Sequence, residues 1–161
     1  MKHNTKMALV AALVAGLIAL GALPVLAQDK AADNMQILLD KIRADKRLLV
    51  ATNMELTESE AKVFWPLYDE YQNELFLLRQ RTAKLIGDYA KAYKDMSDEK
   101  AKRLLDESIN IDALTLKLRK AYLPKFRAVL PEKKAARYFQ IENKVQAALI
   151  YQLASQIPLV Q

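Results

Sequence analysis

Cysteine is absent from the sequence, and histidine occurs once, at His3. A chain without cysteine has no disulfide and no thiol nucleophile. His3 lies in a segment that has the features of a signal peptide, so the rest of the chain lacks the two commonest strong metal ligands. The same absences exclude a Ser-His-Asp or Cys-His catalytic site. We therefore expect no enzymatic activity, no cofactor and no metal site.

Glycine is also scarce, and Gly87 is the only glycine beyond the first 27 residues. Strand-rich folds need glycine in their turns, so this scarcity favours helices. We predict an all-α fold, an elongated antiparallel helical hairpin or bundle of about four helices with a long, kinked second helix. The helices are predicted from about Asn34 to Met54, Thr57 to Tyr93, Ser97 to about Pro124, and Pro131 to Pro158.

The first 27 residues have the order of a secretory signal peptide. Lys2 and Lys6 precede an apolar run from Met7 to Leu23, and small side chains follow at Val25 and Ala27. We expect cleavage after Ala27, one all-helical domain over residues 28–161, and export to the periplasm. Membrane contact is then limited to the signal peptide before its removal. An uncleaved anchor is the alternative, although the run is at the short end for a membrane span.

Capping residues and heptad spacing define the long second helix. Thr57 and Glu60 form a capping box, and apolar residues then recur at alternating steps of three and four, which is typical of a helix packed along its length. Pro66 lies inside this helix and predicts a kink. Further apolar residues lie off the stripe, so we expect a second copy to cover them in a homodimer. They are Trp65, Phe76, Leu77 and Ile86.

The later helices repeat this pattern of start and stripe. Ser97 is the predicted N-cap of the third helix, which Pro124 should kink or end. Pro131 is predicted in the first turn of the fourth helix. The third helix has its stripe at Ala101, Leu104, Ser108, Ile111, Thr115, Leu118 and Tyr122, and the fourth at Ala135, Tyr138, Ile141, Val145, Leu149 and Leu153.

Two of the helix starts resemble the paired Leu-Thr-x-x-Gln motifs of the Spy/CpxP family of periplasmic helical proteins. The first is Leu56-Thr57-Glu58-Ser59-Glu60, and the second is Leu130-Pro131-Glu132-Lys133-Lys134. Glu60 and Lys134 stand where the family has glutamine, and Pro131 stands where it has threonine. The resemblance implies a cradle-shaped antiparallel dimer that holds unfolded clients without ATP, or that reports envelope stress or metal. The alternative is that any capped amphipathic helix shows this spacing.

A basic segment runs from Lys117 to Arg137, with Glu132 as its single acidic residue; Tyr122 and Phe126 lie among the cations, and Tyr138 and Phe139 follow directly. It predicts a basic, partly apolar surface for unfolded polypeptide, since charge speeds capture and apolar contact holds the partner. A solvated helix face with core aromatics is the alternative, and export argues against nucleic acid. The candidate binding residues are Lys117, Arg119, Lys120, Lys125, Phe126, Arg127, Lys133, Lys134 and Arg137.

Asp69, Glu70 and Glu74 form a carboxylate cluster on the second helix. Acid-base chemistry needs environments that drive two pKa values apart, and plentiful lysine and arginine favour ion pairs instead. The resemblance to the Spy/CpxP family, together with the export signal and the basic segment, implies an exported, ATP-independent chaperone-like protein that holds unfolded or misfolded envelope proteins. The alternatives are a periplasmic stress or metal sensor that binds a membrane partner, and a structural coiled-coil subunit.

Overall fold

A computed structural model describes residues 43–160, and this part of the chain is all-α. The predicted signal peptide, residues 1–27, and the predicted helix start at Asn34 lie outside the described residues. No helix within residues 43–160 is long and apolar enough to cross a bilayer. Helix α1 covers residues 43–54, α2 is Glu58–Ala92 with a 3-10 turn at Tyr93–Asp95, α3 is Asp98–Val129, and α4 is Glu132–Gln156.

Side-chain caps fix the starts of α2 and α3, as predicted. The Thr57 hydroxyl accepts from the Glu60 amide at 3.3 Å, and the Glu60 carboxylate accepts from the Thr57 amide at 2.8 Å. The Ser97 hydroxyl accepts from the Lys100 amide at 3.3 Å. Pro131 immediately precedes α4, where its carbonyl accepts the Lys134 amide at 2.8 Å. Pro131, predicted in the first turn of this helix, therefore lies one residue before its observed start at Glu132.

Helices α2 and α3 each continue through an internal proline. The interpretation that Pro124 ends the third helix is wrong, because α3 extends to Val129. Packing explains the extension: Phe126 is fully buried, and its carbonyl accepts the Leu130 amide at 3.0 Å. Pro66 likewise lies within α2, and the kink expected near it stays a prediction.

The described helices group into two compact units. Unit 2 comprises Leu56–Ala135 with residues 159 and 160 of the described chain, and it contains α2, α3 and the first turn of α4. Helices α2 and α3 run antiparallel. As the residue number rises along α2, the residue number of the contact partner on α3 falls. The Phe64 and Phe126 rings are 5.8 Å apart, the Tyr71 and Tyr122 rings are 5.1 Å apart, and Arg81 binds Glu107 at 2.8 Å.

The predicted heptad seam of α2 is buried most completely in its first half. Phe64, Tyr68, Tyr71 and Leu75 are buried, whereas the seam is only half-buried from Leu78 onward. Tyr122 and Phe126 of α3 are also buried. Together with the three buried rings of α2, they make five aromatic rings that dominate the core of unit 2. The other end of the hairpin, toward the Tyr93–Asp95 turn, carries a thinner apolar core.

Unit 1 comprises residues 43–55 of the described chain with Ala136–Pro158. Its segments are antiparallel, because Lys46 binds Glu142 at 2.7 Å and Arg137 lies 3.4 Å from the Glu55 carboxylate. Glu55 follows α1 with a φ of 50°, a left-handed conformation that commonly ends helices. The apolar core of unit 1 contains Leu49, Val50, Met54, Tyr138, Ile141 and Val145.

Candidate functional site

Most of the predicted basic segment lies in unit 2, on the second half of α3 and the first turn of α4. Helix α3 has no acidic residue from Ala113 to its end at Val129. Cations therefore dominate this half of the helix. The exposed ones are Lys117, Lys120, Lys125 and Arg127 on α3 and Lys133 on α4, while Arg119 and Lys134 are half-buried.

These cations divide into two groups by their contacts. Lys125 lies 3.1 Å from the Glu70 carboxylate, and Arg127 lies 2.7 Å from the Glu132 carboxylate. In contrast, Lys117, Lys120 and Lys133 form no ion pair with any residue that the structure describes. These three lysines are available to an acidic group of another molecule, and they are called the open lysines below.

Lys125 belongs to a polar cluster at the edge of the aromatic core. The Tyr122 hydroxyl lies 2.5 Å from Glu74 Oε1 and 2.8 Å from Glu70 Oε1. The Lys125 ammonium sits 4.2 Å from the centre of the Tyr122 ring. A hydroxyl carries one proton, so Tyr122 donates to one of the two carboxylates at a time. Glu70 and Glu74 of the predicted carboxylate cluster thus contribute to the α2–α3 contact.

The pKa shifts in this cluster follow from these hydrogen bonds. The Tyr122 hydroxyl and then Lys125 hold the pKa of Glu70 below its ordinary value of 4.5. Burial, with the two carboxylates, raises the pKa of Tyr122 above its ordinary value of 10.0. Glu70 is therefore ionised and Tyr122 is neutral near pH 7. A carboxylate held ionised by two donors serves as an ion-pair partner, which agrees with the ion pairs expected for this cluster.

The aromatic residues within and directly after the basic segment do not line its surface. Phe126 and Tyr138 are fully buried and Tyr122 is 2% exposed, while Phe139 is half-buried. Phe126, named as a candidate binding residue, therefore packs in the core with Phe64 and is not exposed to a client. The heptad stripe accounts for this outcome, because Tyr122 and Tyr138 lie on seams that face neighbouring helices.

Exposed aliphatic side chains, which the sequence reasoning missed, lie on α3 instead. Leu105 is 63% exposed, Ile109 is 61% exposed and Leu116 is 53% exposed. Leu116 precedes Lys120 by one helical turn, so apolar and cationic groups are neighbours on the same face. The signal was present in the sequence: apolar residues at 109, 116 and 123 recur every seven residues away from the main seam.

The two motif-like helix starts contact each other within unit 2. Glu60 is the third residue of α2, and Lys134 is the third residue of α4; their side chains form an ion pair. The Lys134 ammonium is the main cause that lowers the pKa of Glu60 below its ordinary value of 4.5. Leu130 is buried and Leu56 is half-buried. The fifth residues of the two motif-like segments thus have complementary charges.

A ring pair follows each of these helix starts at the same distance along the chain. In unit 2, Phe64 is buried against Trp65 with ring centres 5.0 Å apart. In unit 1, Tyr138 is buried against Phe139 with ring centres 5.4 Å apart. Both pairs are edge-to-face, and whether the two helix starts are copies of one motif stays a prediction. The helix start at Ser97 differs, because Leu105, which is exposed, occupies the position of the second ring of the pair.

Arg137, the last cation of the predicted segment, belongs to unit 1. Its guanidinium lies 3.4 Å from the Glu55 carboxylate and donates to the Asn53 carbonyl at 3.5 Å. One partner, Asn53, lies in the last turn of α1, and the other, Glu55, is the left-handed residue that follows the helix. Arg137 therefore has local partners of its own, unlike the open lysines.

Residues 43–160 contain no group of three or more acidic, histidine or cysteine side chains placed to hold a metal ion. No protein-family model, curated protein or solved structure matches the chain. The candidate site is therefore described by its residues alone. It is a set of open lysines beside exposed aliphatic residues on α3.

Proposed function

We propose that the chain is an exported, ATP-independent chaperone-like protein that acts as a homodimer in the periplasm. In this proposal it holds unfolded or misfolded exported proteins on α3 and the first turn of α4. Lys117, Lys120 and Lys133 attract acidic stretches of the client. Leu116 supplies apolar contact in place of the buried aromatic residues.

The observation that carries this proposal is the set of open lysines beside an exposed leucine. Lys125 and Arg127 on the same part of the chain are offset by nearby carboxylates, whereas these three lysines are not. Three lysines without an ion pair, two of them on a half of α3 that has no acidic residue, maintain a positive potential that attracts anionic segments over roughly 10 Å. An exposed apolar side chain then slows dissociation, because it buries apolar surface against the client. Salt does not screen this contact.

The test is light scattering from a reduced, aggregation-prone client protein in the presence of the purified chain. We expect a several-fold molar excess to delay and lower the scattering, without ATP. Higher salt should weaken the early effect, since it screens charge-driven capture. Scattering unchanged at several-fold excess would refute the proposal. A second measurement, the mass of the chain recovered from the periplasmic fraction, should match a start at Gln28.

A structural coiled-coil subunit is the second candidate. It is favoured by the exposed Leu105, Ile109 and Leu116, which are typical of a helix that packs in a larger assembly. A structural subunit would leave client aggregation unchanged and would form fixed assemblies, so the scattering assay separates the two functions.

A further inference from the structure

Helix α3 carries an exposed stripe away from the seam that packs on α2, and its second half alternates apolar and cationic side chains. This half consists of Leu116, Lys120, Leu123 and Arg127, which lie within about 60° of one another around the helix. Leu123 is half-buried and the other three are exposed. The cationic part of the stripe ends at Asp112, and beyond it the stripe continues through Ile109, Leu105 and Lys102.

Arg127 of this stripe is occupied by Glu132, the single acidic residue of the basic segment. Their charged groups are 2.7 Å apart, and the side chains are 53% and 66% exposed. Lys120, two steps earlier on the stripe, forms no ion pair with any residue that the structure describes. An internal carboxylate thus fills the position that would extend the open lysines along the stripe.

The Arg127–Glu132 pair opens at little cost. An exposed ion pair contributes little to stability, because water and salt screen it. Arg127 lies in the last turn of α3 and Glu132 in the first turn of α4, where the helix dipoles favour a cation and an acid respectively. Each residue therefore keeps a favourable position when the pair opens. A guanidinium binds any carboxylate through two parallel hydrogen bonds, so a carboxylate of another molecule can replace that of Glu132.

We propose that Arg127 binds an acidic side chain of the client in exchange for Glu132, and that the client segment places aliphatic and acidic side chains alternately along the stripe. The inference rests on the proposed function, because it takes the partner to be unfolded polypeptide. Leu116 and Leu123 contact the aliphatic side chains, and Lys120 and Arg127 bind the acids. Glu132 is then an internal competitor that lowers the affinity for the client.

The test is fluorescence anisotropy of a labelled, permanently unfolded acidic protein, titrated with the full chain at low salt. Arg127→Gln with Glu132→Gln keeps the net charge of wild type, and we expect this double variant to raise the dissociation constant by about threefold. Glu132→Gln alone removes the competitor. It should lower the dissociation constant by about two- to fivefold, the range that the weakness of an exposed pair allows.

The exposed pair Lys84–Asp88 on α2 supplies both controls. Lys84→Gln with Asp88→Asn removes an ion pair at constant net charge, and Asp88→Asn alone adds the same charge as Glu132→Gln. Both controls should leave the dissociation constant within about 1.5-fold of wild type, because they lie on another helix. Circular dichroism should show native helicity for every variant.

Two peptides of equal composition test the alternation. One alternates leucine and glutamate with a serine after each, and the other groups the leucines apart from the glutamates. In an extended peptide, side chains two residues apart share a face and are about 6.7 Å apart, close to the 5.4 Å of one helical turn. We therefore expect the alternating peptide to bind about threefold more tightly, and equal binding would overturn the alternation.

The outcomes separate this inference from the proposed function. Absence of client binding to wild type refutes the proposed function itself. If wild type binds, a double variant at Arg127 and Glu132 that binds equally well overturns the exchange and leaves the proposed function standing. A gain for Glu132→Gln no larger than that for Asp88→Asn overturns the exchange in the same way.

Discussion

Replacing Lys46 by methionine is expected to destabilise unit 1 by about 3–5 kcal/mol, because the Glu142 carboxylate would stay buried without that ammonium group. The two charged atoms are 2.7 Å apart, and the side chains are only 9% and 7% exposed. Domains of this size unfold with about 5–15 kcal/mol, so the loss is a large fraction of the total.

Replacing both residues should behave differently from replacing one. Lys46→Met with Glu142→Leu removes both buried charges, and we expect stability within about 1 kcal/mol of wild type or above it. The surface pair Lys84–Asp88 supplies the control, since its side chains are 76% and 42% exposed. Lys84→Met should cost no more than about 0.5 kcal/mol, because exposed pairs are screened by water and salt.

The assay is urea unfolding at pH 7, followed by far-ultraviolet circular dichroism for wild type, both single variants, the double variant and the control. Equal slopes against urea are needed for the free energies to be compared. A cost below 1 kcal/mol for Lys46→Met would refute the reasoning. A double variant as unstable as the single one would also refute it, since packing and not charge burial would then dominate.

Three further predictions concern the helix starts and the Tyr122 cluster. Thr57→Ala should cost about 1 kcal/mol in urea unfolding, and Pro131→Ala should cost less, because no side-chain hydrogen bond is lost; equal losses would contradict this. The ion pair lowers the pKa of Glu60, so its stabilising effect is full above pH 4.5 and is lost as pH falls through the lowered pKa. Lys134→Met should move that pKa back toward 4.5 in an NMR titration, and an unchanged pKa would show that Lys134 does not hold Glu60. Because the pKa of Tyr122 is raised, the ultraviolet difference between wild type and Tyr122→Phe should show no tyrosinate at pH 10, where an ordinary tyrosine is half ionised.

Local signals in the sequence were sufficient to predict the side-chain caps at the starts of α2 and α3. The Thr57 capping box and the Ser97 cap depend only on residues three apart, so the sequence contains all of their partners. The heptad seam identified Phe64, Tyr68 and Tyr71 as core residues for the same reason, since side-chain direction follows from helical periodicity alone.

Contacts between helices were not predictable in the same way. The Glu60–Lys134 and Lys46–Glu142 pairs join residues far apart in sequence, and they depend on which helices pack and in what register. Periodicity also failed to separate the seam from the exposed stripe of α3, because both repeat every seven residues. The burial of Phe126 beyond Pro124 was missed for a third reason: core packing overrides the local tendency of proline to end a helix.

Reversing Lys117 and Lys133 to glutamate is the most direct test of the proposed client surface. Stopped-flow fluorescence of a labelled, permanently unfolded client measures the capture rate, with Lys62→Glu and Lys144→Glu as a control of equal charge change. At low salt we expect capture to slow by about tenfold in the variant and to change little in the control, with the difference shrinking at high salt. Equal capture rates for the variant and the control would contradict the claim that this surface binds unfolded polypeptide.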